Sequence, residues 1–461
     1  MFDLSKPVIP SILVILITAA ALLVNQPIVL IIVAATGAAG VYLALSDFQI
    51  RAFDLVAILI ISSILLPPAR IPGSFPDVRI EEFVIYLFFP ILLFYIKPLE
   101  ISDIKNLLLA MILYAGCIFV SIFHSVYFLG IHSGLKDFFE IAKIGKYVLI
   151  LLVIYNLDLT YDQLRKLFYI ILGSIVVSAI IGFFEYFSIL SFDKVVAPLY
   201  AESQLWSVNM RMLGTYSNPN SYGATLNIGC VLAALLIFYS SKQSTRLISY
   251  LLLGFLLWSV TLTGSRTATV TVICSLILLA YLNRKQFNRS WLGVFLFFFF
   301  LSIIMALSFS GLTHKVAARY KSGIDLATDQ SWLMRLMVWK YNLLAFINSP
   351  VWGWGPAKYV ITGIVDNEYI LTLRRYGIIG FIPYIFIYLV PLYHSFRMQA
   401  KEQTVQLWSQ LVLIGIIVFM VTNLTNTVLN NLQTMDYWFL ILGLFYNARK
   451  MYRKQTSMET V

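Results

Sequence analysis

The sequence predicts an all-alpha polytopic membrane protein: about 12–14 transmembrane helices, with a large external loop containing an amphipathic helix. Three observations predict it. Of 461 residues, 60% are hydrophobic and only 12% charged, with a mean hydropathy of +0.85, too apolar for a soluble chain to cover its surface. The apolar residues fall in runs such as 9–24, 28–45, 168–186 and 291–307, each long enough to cross the hydrocarbon core. Basic residues recur in alternate loops, as orientation in a membrane requires.

Taken in order, the expected spans lie at about 8–24, 28–45, 52–67, 83–97, 106–127, 141–156, 166–187, 221–239, 247–262, 267–283, 290–309, 377–393, 408–425 and 433–447. Helices are the crossing element, because the runs are too long and unbroken for barrel strands. The first run follows Lys6 and contains small residues at 18–21, features of a signal peptide. At the head of so many spans it reads as a retained first helix. Residues 1–461 form a single integral membrane domain, with external loops at 192–220 and 311–377.

Placing both termini in the cytoplasm puts Lys6, Arg51, Lys97, Lys105, Arg165, Lys166, Lys242 and Arg246 inside. The same topology puts Arg284, Lys285, Arg289, Arg397, Lys401 and the 449–454 cluster there. Segments 67–82, 130–140, 192–220, 264–266, 311–377 and 426–436 then lie outside. Within the largest, 331–348 has helical periodicity: Leu333, Leu336, Met337, Leu343, Leu344 and Ile347 share an apolar face, with Arg335 and Lys340 elsewhere. This predicts an interfacial helix, ended by Pro350, Gly353 and Gly355.

The net charge of +11 does not imply nucleic acid, because the cations are divided among short loops; membrane lipids and anionic lipid-linked substrates are the better partners. Cys117, Cys230 and Cys274 lie inside apolar runs and make neither a disulfide framework nor a thiolate site. The four histidines lack metal-ligand spacing, and no phosphate loop or dinucleotide fingerprint occurs. No cofactor or metal is expected. A transporter is the non-enzyme alternative, and its expected signature, charge inside spans, is confined to Glu185 and the Lys143/Lys146 region. The 423–431 stretch holds an Asn-Leu-Thr glycosylation pattern at a membrane edge and receives no assignment.

External arginines run against the charge bias and need another reason. Arg211, Arg266, Arg319, Arg335, Arg374 and Arg375 are such residues. A guanidinium offers a planar donor fork suited to phosphate oxygens, so several around one pocket would suit a diphosphate; pairing with Asp193, Glu202, Asp325 or Asp329 is the structural alternative. Asp366 either accepts a proton from an attacking sugar hydroxyl or caps the helix that follows. Trp332, Trp339, Trp352 and Trp354 either stack on sugars or belong to the interfacial aromatic belt.

The Arg211-Met-Leu-Gly-Thr-Tyr-Ser-Asn218-Pro-Asn220 motif and Thr263-Gly264-Ser265-Arg266 resemble motifs of the O-antigen polymerase and ligase superfamily. So do Arg335 with Trp339, Asn348-Ser-Pro-Val-Trp-Gly-Trp354-Gly355, Asp366-Asn367-Glu-Tyr369 and Gly377-Ile-Ile-Gly380. The resemblance implies metal- and nucleotide-independent, inverting transfer of a glycan from undecaprenyl diphosphate, on the outer face of the cytoplasmic (inner) membrane. It implies that Arg211 and Arg266 clamp the diphosphate, and that Asn218, Asn220, Arg319, Arg335, Trp339, Trp354, Asn367, Tyr369 and Arg374 contact the undecaprenyl-diphosphate-linked oligosaccharide. It also brings in a chain-length regulator as a partner. Ligases of this type carry histidine where this chain has Asp366, which turns the expectation toward a polymerase extending a lipid-linked repeat unit for O-antigen lipopolysaccharide, capsule or exopolysaccharide, with a ligase as the alternative.

Overall fold

The computed structural model describes residues 51–66, 92, 99–195, 211–284, 330–360, 365–398, 400 and 402–459. The expected spans at 8–24, 28–45, 83–97 and 290–309, residues 196–210, and the first part of the large loop with Arg319 lie outside the described residues. Among the described residues the regular structure is helical throughout. In order these helices are α1 (Ala52–Leu65), α2 (Lys105–Tyr127), α3 (Leu135–Asn156), α4 (Tyr161–Tyr186), α5 (Pro219–Tyr239), α6 (Gln243–Leu262), α7 (Arg266–Leu282), α8 (Gln330–Asn348), α9 (Glu368–Arg397), α10 (Gln403–Thr422) and α11 (Leu432–Glu459). Two short helical turns, Ile189–Ser191 and Phe192–Val195, follow α4.

Among the described residues six helices are long and apolar enough to cross a membrane: α2, α4, α5, α6, α9 and α10. α1 and α7 are shorter apolar helices. The chain is therefore an all-α, multi-pass membrane protein. α5 is its centre: every residue from Ser221 to Leu236 is buried, as expected of a helix that is apolar all round. It packs against α4, α6, α7 and α10.

The charges noted inside spans have structural partners. Lys146 Nζ sits 2.8 Å from Asp436 Oδ1, tying α3 to α11 with both side chains nearly sealed from solvent. Glu185 Oε2 accepts the Gly214 N–H at 2.9 Å and fixes the segment before α5 onto α4.

α9 departs from the expectation. It begins at Glu368, nine residues before the expected start at Gly377, and Gly377 is a break within it, with φ 62 and ψ −167. A break orphans backbone groups on both sides, and these must find partners. Residues 350–355 supply them. The N–H groups of Ile378 and Ile379 donate to the carbonyls of Pro350 and Val351 at 2.9 and 3.4 Å. In return, the Trp354 and Gly355 N–H groups donate to the Arg374 and Arg375 carbonyls at 2.9 and 2.8 Å. The contact is backbone against backbone: a Cβ on Gly377 would lie 2.1 Å from the Val351 carbonyl oxygen, and one on Gly353 2.4 Å from that of Arg375. Ser121 of α2 closes the joint by donating its hydroxyl to the Arg375 carbonyl at 2.6 Å.

Candidate active site

The two arginine motifs, separated by all of α5 and α6, meet. α6 ends at Leu262 and α7 begins at Arg266, so the turn between them has only Thr263, Gly264 and Ser265 to reverse direction. Gly264 has a positive φ of 60 there, and the Ser265 hydroxyl caps α7 by accepting the Ala268 N–H at 3.3 Å. The Met212 N–H donates to the Leu262 carbonyl at 3.0 Å, which brings the neighbouring Arg211 onto this turn. Arg211 donates from Nε to the Thr263 carbonyl at 2.7 Å and from Nη2 to Asn220 Oδ1 at 2.8 Å. Asn218 in turn caps α5, its Oδ1 accepting the Asn220 N–H at 2.8 Å. Asn218 and Asn220 thus hold Arg211 in place, and Arg266 opens α7 beside it, half-buried.

The large-loop residues form a second group. Arg335 Nε on α8 lies 3.3 Å from Asp366 Oδ2, both side chains partly exposed. The cap of α9 is Asn367, whose Oδ1 accepts the Ile370 N–H at 3.0 Å. This corrects the capping alternative for Asp366, whose carboxylate pairs with Arg335. Trp339 lies one turn beyond Arg335 on α8, its ring 5.5 Å from Trp332 in an edge-to-face contact. The Trp354 indole N–H donates to the Ala345 carbonyl at 2.7 Å, and the Tyr369 hydroxyl donates to the Met420 carbonyl at 2.6 Å. Arg374 is buried beneath α8 at 1% exposure, while Arg375 points to Glu140, 3.7 Å away.

Residues 423–431, between α10 and α11, join the two groups, and sequence reasoning passed them over. Thr425 and Thr267, the residue after Arg266, share a hydroxyl contact of 2.6 Å. The adjacent Leu424 carbonyl accepts Asn367 Nδ2 at 3.0 Å, and the Asn423 carbonyl accepts the Glu368 N–H at 2.9 Å. Asn426 Nδ2 donates to Ser221 Oγ on α5 at 3.0 Å. Arg266 and Asp366 are therefore each one residue away from a hydrogen bond to consecutive residues of this loop. The available signal was four asparagines, 423, 426, 430 and 431, crowded at a membrane edge, where buried amides need partners.

Behind this junction lies a buried ionic network. Glu140 meets Lys143 at 2.5 Å and Lys358 at 2.6 Å. Lys143 also donates to Asn430 Oδ1 at 2.8 Å, and Asn430 Nδ2 donates to Glu368 Oε1 at 2.9 Å. Glu140, Lys143, Glu368 and Asn430 line a small pocket together with Tyr114 and Tyr376. Among the described residues no group of His, Cys, Asp and Glu is arranged to hold a metal ion. The chemistry on offer is that of a guanidinium paired with a partly exposed carboxylate on one side of the 423–431 loop and two further guanidiniums on the other: cations suited to an anion and a carboxylate suited to accept a proton.

Residues 251–385 match a family model described as O-antigen ligase (Wzy_C). The match runs from within α6 to within α9, less than half of the chain, and takes in Arg266, Arg335, Asp366 and Arg374 but not Arg211. A search of curated proteins finds no match to the chain.

Proposed function

We propose that this protein transfers a glycan from a polyprenyl diphosphate carrier to an acceptor hydroxyl at the outer face of the cytoplasmic membrane, as an O-antigen-ligase-type glycosyltransferase. One observation carries the reading: the 423–431 loop draws the Arg211/Arg266 turn and the Arg335–Asp366 pair into one neighbourhood. In that neighbourhood the acceptor oxygen attacks the anomeric carbon, and the bond from that carbon to the diphosphate oxygen breaks. The leaving diphosphate keeps the electron pair. Arg211 and Arg266 face its developing charge, Asp366 takes the acceptor proton, and Arg335 orients Asp366. Attack opposite the leaving group inverts the anomeric centre. Asn218 and Asn220 act through Arg211, and Asn367 and Tyr369 through the placement of the first turn of α9. Trp339 lies beside the Arg335–Asp366 pair, where a sugar ring would pass, while Trp354 acts by holding α8 to α9.

The similarity of residues 251–385 to O-antigen ligases supports transfer to a surface lipid or protein acceptor over chain extension. Asp366 favours the second reading, a repeat-unit polymerase, because such ligases carry histidine at that place. Reconstitution with undecaprenyl-diphosphate oligosaccharide, without nucleotide or added metal, separates the two. Attachment of the glycan to an added lipid A core or protein acceptor supports the ligase, and lengthened carrier-linked chains support the polymerase. No new glycosidic bond with either acceptor sinks both.

A further inference from the structure

α8 and α9 lie side by side, and the polar groups along their seam are not used up. At one end Arg335 pairs with Asp366. At the other, Trp354 donates its indole N–H to the Ala345 carbonyl and its backbone N–H to the Arg374 carbonyl. The two helices therefore run in the same sense, from Arg335 and Asp366 toward Ala345 and Arg374. Between these ends Trp339 and Asn342 follow Arg335 at helical spacing on the inner face of α8. Trp339 Nε1, Asn342 Oδ1, and Nε and Nη1 of Arg374 are all buried with no hydrogen-bond partner among the described residues. Arg374 is 1% and Asn342 2% exposed.

A guanidinium shut away from water is costly unless an anion joins it, and a cluster of buried orphans calls for an explanation. The carboxylates around the first turns of α9 are already committed. Glu140 serves Lys143, Lys358 and Arg375, Glu368 accepts from Asn430 and the Leu429 N–H, and Asp366 serves Arg335. In this cluster the four cations Lys143, Lys358, Arg374 and Arg375 still outnumber the three carboxylates Glu140, Glu368 and Asp137, the last accepting the Lys358 N–H at 3.0 Å, so the excess among the described residues is positive. It is also placed where no carboxylate of the described residues pairs with Arg374.

We propose that the α8–α9 seam is an oxyanion-binding subsite in which Arg374 takes a carboxylate or phosphate of the glycan substrate, while Trp339 Nε1–H and Asn342 Oδ1 meet its hydroxyls. The subsite rests on the transfer reading above and adds a substrate class to it. Arg374 is the seventh residue of α9, so roughly 9 Å of helical rise and the two residues before the helix separate it from Asp366, further than a single sugar ring spans from the reacting hydroxyl. The anion is thus an acidic substituent on a sugar removed from the reaction centre, or the diphosphate of the acceptor's own carrier.

The test compares full-length protein in nanodiscs as wild type, Arg374→Ala and Arg374→Lys. The donor and the acceptor are lipid-linked oligosaccharides of matched length, carrying either glucuronate or glucose at one position. A KM for the glucuronate substrate that rises at least tenfold more in Arg374→Ala than the KM for the glucose substrate, partly restored by Arg374→Lys, assigns the anion to the sugar. An equal rise for both with kcat retained assigns it to the carrier diphosphate. A folded Arg374→Ala variant with neither KM moved overturns the subsite. Should Arg374→Ala fail to fold, the wild-type melting temperature titrated with a glucuronate oligosaccharide and with inorganic pyrophosphate decides: an upward shift with either supports the subsite, and none with either at millimolar concentration overturns it. That titration does not require transfer, so an inactive wild type with a ligand-dependent melting shift would sink the transfer reading and leave the subsite standing.

Discussion

The α6–α7 turn and the α8–α9 seam both present arginines in partly or wholly buried surroundings, and they treat them in opposite ways. Arg211 is held by the Thr263 carbonyl and by Asn220, itself set by the Asn218 cap. Arg374 is more deeply buried, yet two of its donors have no partner among the described residues. The first arrangement fixes a cation in advance of any ligand, which is how a charge-stabilising group works without reorganising during the reaction. The second leaves a cation waiting for something to arrive. Difference in partnering, more than difference in burial, separates a preorganised group from a recognition group.

The largest expected effect breaks or upholds the first half of that contrast. Arg266→Ala should lower kcat by about 10²–10³-fold, on the order of 2.7–4 kcal/mol of transition-state stabilisation, with little change in melting temperature because Arg266 is only half-buried. A kcat within threefold of wild type in reconstituted transfer would remove Arg266 from the clamp. Next in size is Gly377→Ala, which sharpens the second half by testing what holds the seam. Its positive φ alone should cost about 1–3 kcal/mol, and the Val351 oxygen 2.1 Å from the new Cβ adds to it. Thermal unfolding should move to lower temperature, and an unchanged transition would mean the joint yields freely. The smallest is Asn367→Ala, which removes the α9 cap and the tie to Leu424. A loss of about 1 kcal/mol in stability is expected, with a fall in kcat and an unmoved donor KM. A raised KM alone would show that Asn367 touches substrate rather than positioning Asp366.

Much of the contrast was readable in the sequence because it depends on local chemistry. An Asn-Pro start, a Thr-Gly-Ser turn and a periodic stretch at 331–348 each fold by rules that span a few residues, and α8 at Gln330–Asn348 lies where periodicity placed it. The apolar residues assigned to one face, Leu333, Leu336, Met337, Leu343, Leu344 and Ile347, are exposed among the described residues. The start of α9 was not readable. Glycine at 377 looked like a helix boundary, and it is a break, mended by residues more than twenty positions earlier in the chain. Nor was the 423–431 loop, whose asparagines take their meaning from α3, α5 and α9, partners no local pattern reveals. Trp354 shows the same limit: its ring chemistry suited a sugar, while its N–H went to the Ala345 carbonyl.

The joint at Gly377 has a further consequence for how this part of the chain can vary. Residues 350–355 meet α9 through main-chain atoms at fixed intervals, Pro350 to Ile378 and Gly355 to Arg375, so the fit works as a key in a lock cut for one register. A residue inserted between 350 and 355 would shift every later tooth of the key and misalign Arg374 against α8. Between Pro350 and Gly355 the chain therefore tolerates a change of side chain at its exposed positions, such as Val351, more readily than any change of length.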